Sequence, residues 1–508
     1  MLRKLLTFSF LLIQFCVLAQ SKVVTILDAS TGENIPYANI KVGTEINTVS
    51  NSEGKFTLVA TEADNQKAIL VSYIGYESQQ LTVKKLEQQN FIIKLIPAIY
   101  ELSDVNVTDK KEDANSIMAK VKANINENYI ASDTPLKNTV FLREESNFKA
   151  KQLKIEVEKS SGFSKSKLKD VNTEISNYIA QTTKNPPREF KDFLGDYSSK
   201  LTKKEGKSVI SNKLNVLKAT TIKDQNRSSS IDELEKTTSN LFLKHLDTTK
   251  FYRVKSGWIG SRDTVSFSKS FNEKKKKENK KPEPKNVTGA KSSLTELQSE
   301  LHPAYGAVTE FMRNTDWYTY TSDGAIFTAD YKLVYVIKFK PKKSKASYEG
   351  TMYVSENDYA VVKANYALAP GKTLSGINLK LLLGIKFRNN VSRGTLIYKE
   401  NPETNKYYLH YANKENGQYF YVNRPLKFIE LTEGDGDVLA LDIKAEGQIL
   451  NKTEYLNLNQ KEITAAEFEQ IKEVDFKYLN LRKYDPNIYK EFTVIEPNEE
   501  MKQFLIQD

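Results

Sequence analysis

Residues 36–42 read Pro-Tyr-Ala-Asn-Ile-Lys-Val, with Tyr37, Asn39 and Lys41 alternating against Ala38, Ile40 and Val42. A period of two is typical of a strand that buries one face. Further short strand patterns occupy residues 23–27, 56–58, 69–74 and 91–95, and turn signals separate them at 28–32 and 50–54. Short strands at intervals of about 8–12 residues predict a small β-sandwich.

The turns and strands of this segment also carry a recognisable motif. Its elements are Asp28, Thr31-Gly32, Ile35-Pro36, Ala38, Asn51, Glu53-Gly54, Phe56 and residues 71–76, followed by residues 101–107. These elements resemble the carboxypeptidase-like regulatory domain. The resemblance implies a transthyretin-like β-sandwich over residues 20–108, of a kind often found at the front of secreted or outer-membrane proteins of Gram-negative bacteria. It implies an accessory module without catalytic residues.

The histidines do not support peptidase chemistry. A metallocarboxypeptidase needs a His and a Glu three residues apart, plus a distant His, to hold zinc. Three residues after His245, His302 and His410 stand Thr, Tyr and Asn. A phosphate loop, a serine nucleophile elbow and an HExxH motif are absent from the sequence as well. We therefore expect no enzyme activity, no cofactor and no metal site.

The first nineteen residues have the pattern of a signal peptide. Arg3 and Lys4 precede an apolar stretch over residues 5–18, and Val17 and Ala19 give the small-residue spacing of a cleavage site. We expect cleavage after Ala19 and export to the periplasm or outer membrane. Lipid attachment at Cys16 is disfavoured because Phe15 precedes it, and cleavage removes this single cysteine, leaving no thiol.

Residues 109–300 are predicted to form a mixed α/β region. Apolar residues recur with helical spacing over 111–129, which predicts an amphipathic helix. From about 160 to 300 the sequence is polar, lysine-rich and weakly periodic. Within it, residues 272–290 include a dense run of lysines that repel one another, which predicts a disordered loop.

Residues 301–508 are predicted to form an antiparallel β-rich domain with a C-terminal tail. Alternating or strand-like runs cover 333–339, 351–354, 377–387, 394–398, 407–411 and 419–422. Sequential strands with short turns indicate an antiparallel sheet, here expected to be curved and half-barrel-like. Residues 348–361 and 484–492 resemble the sheet region that follows the regulatory domain in uncharacterised envelope proteins. The chain is therefore predicted to be multidomain and mainly β, with an α+β middle.

The candidate contact residues lie on this sheet. Tyr407, Tyr411, Tyr419 and Tyr421 are aromatic side chains that can stack on sugars or peptides. They fit equally well as cross-strand pairs that cover a half-buried sheet. A half-barrel can in addition hold a lipophilic group in its concave face.

The net charge of the chain bears on which classes of molecule it can bind. The chain has 75 Lys and Arg against 64 Asp and Glu, a formal net charge of +11. Nucleic acid is disfavoured, because an exported protein rarely meets it and no aromatic residues interleave the lysine run. Outer-membrane components, glycans or an anionic membrane surface remain as candidate partners.

These features favour an exported, non-enzymatic protein of the cell envelope, an accessory or binding module at the periplasm or outer-membrane face. Two alternatives stay open. One is an outer-membrane β-barrel like the TonB-dependent transporters, although residues 160–300 lack the repeated alternating strands of about ten residues that a barrel requires. The other is an unrecognised secreted hydrolase, since carboxylate pairs are numerous and the sequence alone does not show which of them meet.

Overall fold

The computed structural model describes most of the chain. The described residues are 20–43, 46–60, 67–98, 113–129, 134–160, 164–186, 188–204, 207–223, 251–256, 259–266, 286–327, 332–431, 438–492 and 494–505. The predicted signal peptide over 1–19, the motif residues 101–107, His245 and the lysine-rich residues 272–285 lie outside the described residues.

Residues 20–98 form the predicted β-sandwich. One sheet contains β1 (Gln20–Asp28), β4 (Lys55–Ala60) and β7 (Ile92–Leu95), in the order β4-β1-β7. The other contains β2 (Asn39–Val42), β3 (Ile46–Val49), β5 (Ala68–Ser72) and β6 (Gln79–Thr82), in the order β3-β2-β5-β6. A short helix, α1 (Val83–Gln88), follows β6.

Alternation along these strands produces the sandwich core. Ala38, Ile40 and Val42 point inward together and pack against side chains such as Ile26 and Phe56. Gly54 closes the turn before β4 with a φ of +68°, and a Cβ atom there would lie 2.9 Å from the carbonyl oxygen of Ile26. Only glycine adopts this conformation at such close range without strain.

The rest of the chain builds one large sheet. Its strands are β8 (Leu136–Ser160), β9 (Arg188–Lys204), β10 (Lys207–Lys223), β11 (Phe251–Ser256), β12 (Ile259–Ser266), β13 (Tyr318–Phe327), β14 (Leu333–Pro341), β15 (Tyr348–Ser355), β16 (Val361–Leu368), β17 (Ser375–Leu379), β18 (Ile385–Asn401), β19 (Lys406–Glu430), β20 (Val438–Glu462) and β21 (Leu479–Asn480). The main order is β13-β14-β15-β16-β18-β19-β20-β8-β9-β10-β21. The predicted curved, mainly β architecture is confirmed.

This sheet contains strands from both sides of the domain boundary expected at residue 300. Strands β8, β9 and β10 come from the predicted mixed region, yet β8 pairs with β20 from Leu136 to Ser160. Residues 188–204 and 207–223, which show weak periodicity in the sequence, pair with each other as two long antiparallel strands. In β9 the alternation is concealed because residues 192–195, 197 and 198 are buried, so that the middle of the strand is covered on both faces.

Several helices connect or flank the strands of the large sheet. They are α2 (Ala114–Tyr129), α3 (Lys165–Lys184), α4 (Asn286–Glu300), α5 (Glu310–Arg313), α6 (Lys380–Leu383), α7 (Ala465–Gln470) and α8 (Glu499–Gln503). Helix α2 falls where the spacing predicts it. Helix α4 begins inside the predicted loop 272–290, so residues 286–290 are helical; Val287, Ala290, Leu294 and Leu297 bury one face of it and supply the stability. In the part of the chain that the structure describes, no helix is long and apolar enough to cross a bilayer.

The two faces of the large sheet have different neighbours. Helices α2 and α4 pack on one face of the sheet, where they contact side chains such as Leu142 and Tyr455. We call this face the helix face. The sandwich packs on the opposite face, where Val49 and Tyr37 meet Phe141 and other sheet residues. We call this the sandwich face.

The C-terminal segment, residues 494–505, joins the sandwich to the sheet. The Asn51 side-chain amide donates to the carbonyl oxygens of Glu496 at 3.2 Å and Pro497 at 3.3 Å. Lys55 forms an ion pair of 2.9 Å with Glu499. The two units are therefore held by polar contacts as well as by an apolar cluster.

Candidate functional site

A pocket of about 630 Å³ lies on the helix face, between the large sheet and helices α2 and α4. Seven tyrosines line it: Tyr129, Tyr197, Tyr305, Tyr398, Tyr407, Tyr408 and Tyr455. They come from α2, the segment after α4, and strands β9, β18, β19 and β20. The wall is therefore assembled from elements that are far apart in the sequence.

Hydrogen bonds fix the orientation of several of these rings. The Tyr129 hydroxyl donates to the carbonyl oxygen of Val361 at 2.8 Å, and that of Tyr398 donates to Leu301 at 2.6 Å. The Tyr455 hydroxyl accepts from the Gln298 amide at 3.2 Å. Burial raises the pKa of all three phenols above its ordinary value, so they stay neutral at physiological pH. The pocket thus has pre-oriented, uncharged aromatic walls.

His302 is the pocket's histidine, and contacts with Tyr305 and the backbone hold its ring in place. Its ring stacks on Tyr305 with centroids 4.0 Å apart. Its Nδ1 accepts from the Ala304 backbone N–H at 3.2 Å, and the ring also hydrogen-bonds to the Tyr129 backbone. Burial lowers its pKa to about 4. His302 is therefore neutral, and the one lone pair that a neutral imidazole offers a general base is occupied by the Ala304 N–H.

Side-chain amides form the polar part of the wall. Asn138 Oδ1 accepts from Asn457 at 2.8 Å and from Gln460 at 2.9 Å. Gln460 Oε1 in turn accepts from Asn401 at 2.9 Å. Asn457 Oδ1 is buried and has no hydrogen-bond partner among the described residues. This oxygen is closed off from solvent, so it is an unsatisfied acceptor within the wall.

Charge is confined to two lysines among the pocket residues. Lys406 Nζ contacts Glu127 Oε1 at 2.8 Å and lowers the pKa of that carboxyl, and Lys200 pairs with Glu469. None of the described residues that line the pocket is an aspartate or a glutamate. Across the described part of the chain, no group of three His, Cys, Asp or Glu side chains could hold a metal ion.

A β-bulge separates the four tyrosines singled out from the sequence. Ile397 pairs with Tyr411, but Tyr398 pairs with Leu409, so His410 is an extra residue in β19. In an unbroken strand, the odd-numbered positions would share one face. Because the bulge shifts this alternation, Tyr407 lines the pocket while Tyr411 points to the sandwich face.

The other members of that set also lie apart from the pocket. Tyr411 is fully buried, and its ring lies 5.2 Å from that of Tyr37 in the sandwich. Tyr419 and Tyr421 lie further along β19 and are partly exposed, and the Tyr419 hydroxyl donates to Glu446 at 3.1 Å. The structure therefore divides the four between a pocket wall, a domain contact and the far end of the strand.

Most of the pocket residues carry no signal in the sequence. Tyr197 and Tyr455, for example, occupy long strands that are amphipathic like their neighbours. Only the abundance of tyrosine, 27 in the chain, hints at aromatic walls. Which tyrosines meet depends on strand pairings between residues far apart along the chain.

Comparisons with known proteins identify residues 25–107 as a CarboxypepD_reg-like domain. The comparison with curated proteins found no match. Among solved structures, the chain is similar to a DUF1329 family protein from Desulfovibrio piger, at 8% identity over 71% of this chain and 98% of that one, with a TM-score of 0.19. It is also similar to a putative membrane-associated protein of unknown function from Bacteroides fragilis, at 10% identity over 86% and 98% of the two chains, with a TM-score of 0.13. At these scores, neither structure bears on the fold or function of this chain.

Proposed function

Starting from the CarboxypepD_reg-like domain at residues 25–107, we propose that this is an exported, non-enzymatic protein of the cell envelope. It acts at the periplasm or the outer-membrane face. The CarboxypepD_reg-like domain serves as an accessory module, and the large sheet binds a lipophilic ligand in the tyrosine-lined pocket. The signal-peptide pattern of residues 1–19 supports export.

The pocket is the observation that carries the binding proposal. Its volume of about 630 Å³ lies in the range of small-molecule sites. The faces of the tyrosine rings supply apolar contact area. Because the hydroxyls of Tyr129, Tyr398 and Tyr455 already bond to the protein, they need no hydrogen-bond partner on the ligand. The lysines Lys200 and Lys406 fit the anionic end of an amphipathic molecule.

The same wall favours binding over hydrolysis. General acid–base catalysis needs a group that can gain or lose a proton near the operating pH. The Nδ1 lone pair of His302 is occupied and its pKa is about 4, and the phenols stay protonated. With no carboxylate among the described lining residues, a glycosidase-type pair of acids is not available in this pocket.

Ser299→Trp tests the binding proposal. Ser299 lines the pocket from the exposed side of α4, so a larger side chain can enter the pocket without disturbing the helix core. We expect the variant to bind the fluorescent apolar probe N-phenyl-1-naphthylamine roughly tenfold more weakly, because the indole occupies ligand space. Fluorescence titration of the purified protein measures the change.

Ser292→Trp is the matched control. Ser292 is also an exposed serine on α4, two helical turns earlier, and does not line the pocket. It should bind the probe like the unmodified protein. Equal binding by all three proteins, or no probe binding at all, would contradict a ligand pocket at this position.

Export has its own test. The protein recovered from the cell-envelope fraction is expected to begin at Gln20, because signal peptidase cleaves after Ala19. Mass spectrometry of the N-terminal peptide reads this directly. A chain found in the cytoplasm with Met1 or Leu2 at its start would refute the proposed location and leave the pocket result unaffected.

A further inference from the structure

An exposed apolar hairpin lies at the start of β18. It consists of residues 374–388, in which β17 and the one-turn helix α6 fold back along β18; we call it the leucine hairpin. Its exposed apolar side chains are Leu374, Ile377, Leu379, Leu381 and Leu382. Leu381 is 100% exposed and Leu382 is 82% exposed. Soluble proteins rarely expose adjoining large apolar side chains unless they contact a partner or a membrane.

The backbone holds these leucines in a defined place. Strand β17 pairs with β18 from Ser375 opposite Asn389 to Leu379 opposite Ile385. Gly384 ends helix α6 with a φ of +65°, and its carbonyl oxygen accepts from the Asn423 N–H at 2.8 Å. A Cβ atom on Gly384 would lie 2.0 Å from the Asn423 oxygen, so the turn sits directly on β19. Residues 380–384, which we call the tip of the hairpin, are thus fixed to the large sheet.

The surroundings of the tip are basic. Residues 371–393 contain five Lys and Arg residues and no Asp or Glu: Lys372, Lys380, Lys386, Arg388 and Arg393. Arg393 is bound by Glu415 at 2.8 Å. The nearby carboxylate of Glu446, on β20, is already bound by Lys151 at 2.8 Å. The tip therefore keeps a positive charge that its neighbours do not neutralise.

Tyr419 and Tyr421, two of the four tyrosines singled out from the sequence, lie at the base of the leucine hairpin. The Lys380 ammonium lies 4.2 Å from the centre of the Tyr421 ring, and that of Lys386 lies 5.6 Å from the Tyr419 ring. Tyrosine is enriched at the membrane–water boundary, where its ring is apolar and its hydroxyl is hydrated. The leucines are outermost and the tyrosines and lysines lie behind them, which matches the order of the apolar and polar layers at a bilayer surface.

We propose that the leucine hairpin inserts into the surface of an anionic bilayer. Leu381 and Leu382 enter the acyl-chain boundary, Tyr419 and Tyr421 lie at the head groups, and Lys380, Lys386 and Arg388 bind lipid phosphates. The hairpin and the tyrosine-lined pocket lie toward opposite ends of β18. Ile385 and Tyr398 are thirteen residues apart, about 40 Å along an extended strand. Membrane contact therefore leaves the pocket clear of the bilayer, and this proposal does not rest on the pocket.

Vesicle co-sedimentation of the exported protein tests this surface. The probes are vesicles of phosphatidylethanolamine with phosphatidylglycerol, and vesicles of phosphatidylcholine alone. We expect binding to the anionic vesicles that weakens with salt. In Leu381→Ser/Leu382→Ser, binding should fall at least about tenfold, because two apolar side chains no longer enter the bilayer. The lysine-rich residues 274–285 can bind anionic lipid through charge alone, and this variant leaves charge unchanged, so it isolates the hairpin.

The matched control is Val474→Ser/Leu479→Ser, which removes two exposed apolar side chains elsewhere, 67% and 55% exposed. It should bind vesicles like the unmodified protein. Binding that is unchanged by the hairpin substitutions overturns the proposal. So does failure to bind vesicles together with a dimer on size-exclusion chromatography that Leu381→Ser/Leu382→Ser dissociates, since the hairpin would then contact a second copy of the chain.

Discussion

Lys363→Met is expected to stabilise the protein at pH 7 by about 3 kcal/mol. Lys363 lies on β16 and is 3% exposed. Burial lowers the pKa of its ammonium from 10.5 to about 7, which corresponds to a cost of about 5 kcal/mol. The rings of Tyr73, from the sandwich, and Tyr353 lie 3.9 and 5.5 Å from its Nζ. Methionine keeps the apolar stem but fits this lysine-shaped site imperfectly, at a cost of about 1.5 kcal/mol, which leaves a net gain of about 3 kcal/mol.

The pH dependence follows from the same shift. Between pH 7 and 10, the unfolded chain keeps a proton on Lys363 that the folded protein has lost. The stability of the unmodified protein should therefore rise with pH in this window, by up to about 1.4 kcal/mol per unit. Lys363→Met lacks this contribution, so the stability difference between the two proteins should shrink as the pH rises.

Urea denaturation followed by tryptophan fluorescence, at several pH values from 7 to 9.5, measures both effects. Lys340→Met, at an exposed lysine on β14, is the control and should change stability by less than about 0.5 kcal/mol. A Lys363→Met protein that is less stable than the unmodified one, with an unchanged pH profile, would show that the ammonium makes a stabilising contact instead.

Arg143→Met is expected to destabilise the protein by about 3–5 kcal/mol. Arg143 Nε and Nη2 donate to the Asp192 carboxylate at 2.9 and 2.8 Å, and both side chains are buried. Burial disfavours the guanidinium charge, but Asp192 outweighs it and keeps the pKa of Arg143 above its ordinary value. Removing the arginine leaves a buried carboxylate without its cation.

The same arginine holds the C-terminal segment. Its Nη1 donates to the carbonyl oxygen of Ile495 at 3.2 Å, next to Glu496, whose carbonyl oxygen accepts from Asn51 of the sandwich. Hydrogen exchange should therefore increase in residues 494–505 of Arg143→Met before it increases in the large sheet. This links the ion pair to the attachment of the sandwich.

A double variant separates the lost charge pairing from the lost packing. Asp192→Asn in the Arg143→Met background should recover about 2 kcal/mol, because the uncompensated charge disappears. Arg393→Met is the matched control, since its pair with Glu415 is exposed and should be worth less than about 1 kcal/mol. Equal destabilisation by both single arginine substitutions would contradict the assignment of Arg143 to a buried ion pair.

The sandwich could be predicted because its signals are local. The strand patterns, the turn at residues 50–54 and the apolar spacing of α2 each depend on residues a few positions apart. Strands β9 and β10 could not be predicted, because they are stabilised by pairing with each other and with β8. Their sequences are rich in lysine and lack the clear alternation that would mark either strand by itself.

The four candidate tyrosines show the same contrast between local sequence signals and long-range strand pairing. The sequence singles out Tyr407, Tyr411, Tyr419 and Tyr421 as candidate contact residues, yet one bulge at His410 sends Tyr407 and Tyr411 to opposite faces. A bulge of one residue reverses the alternation of the rest of the strand. No short-range signal marks it, because the register is set by the partner strands β18 and β20.

The sequence by itself determined the β-sandwich at the front of the chain, the mainly β character of the rest and the signal-peptide pattern. These properties depend on periodicity and turn chemistry, which act over a few residues. The tertiary structure decided that the middle and C-terminal regions share one sheet, that seven tyrosines enclose a pocket, and that Leu381 and Leu382 stay exposed. Those properties depend on which distant strands pair, and that follows from the free energy of the whole folded chain.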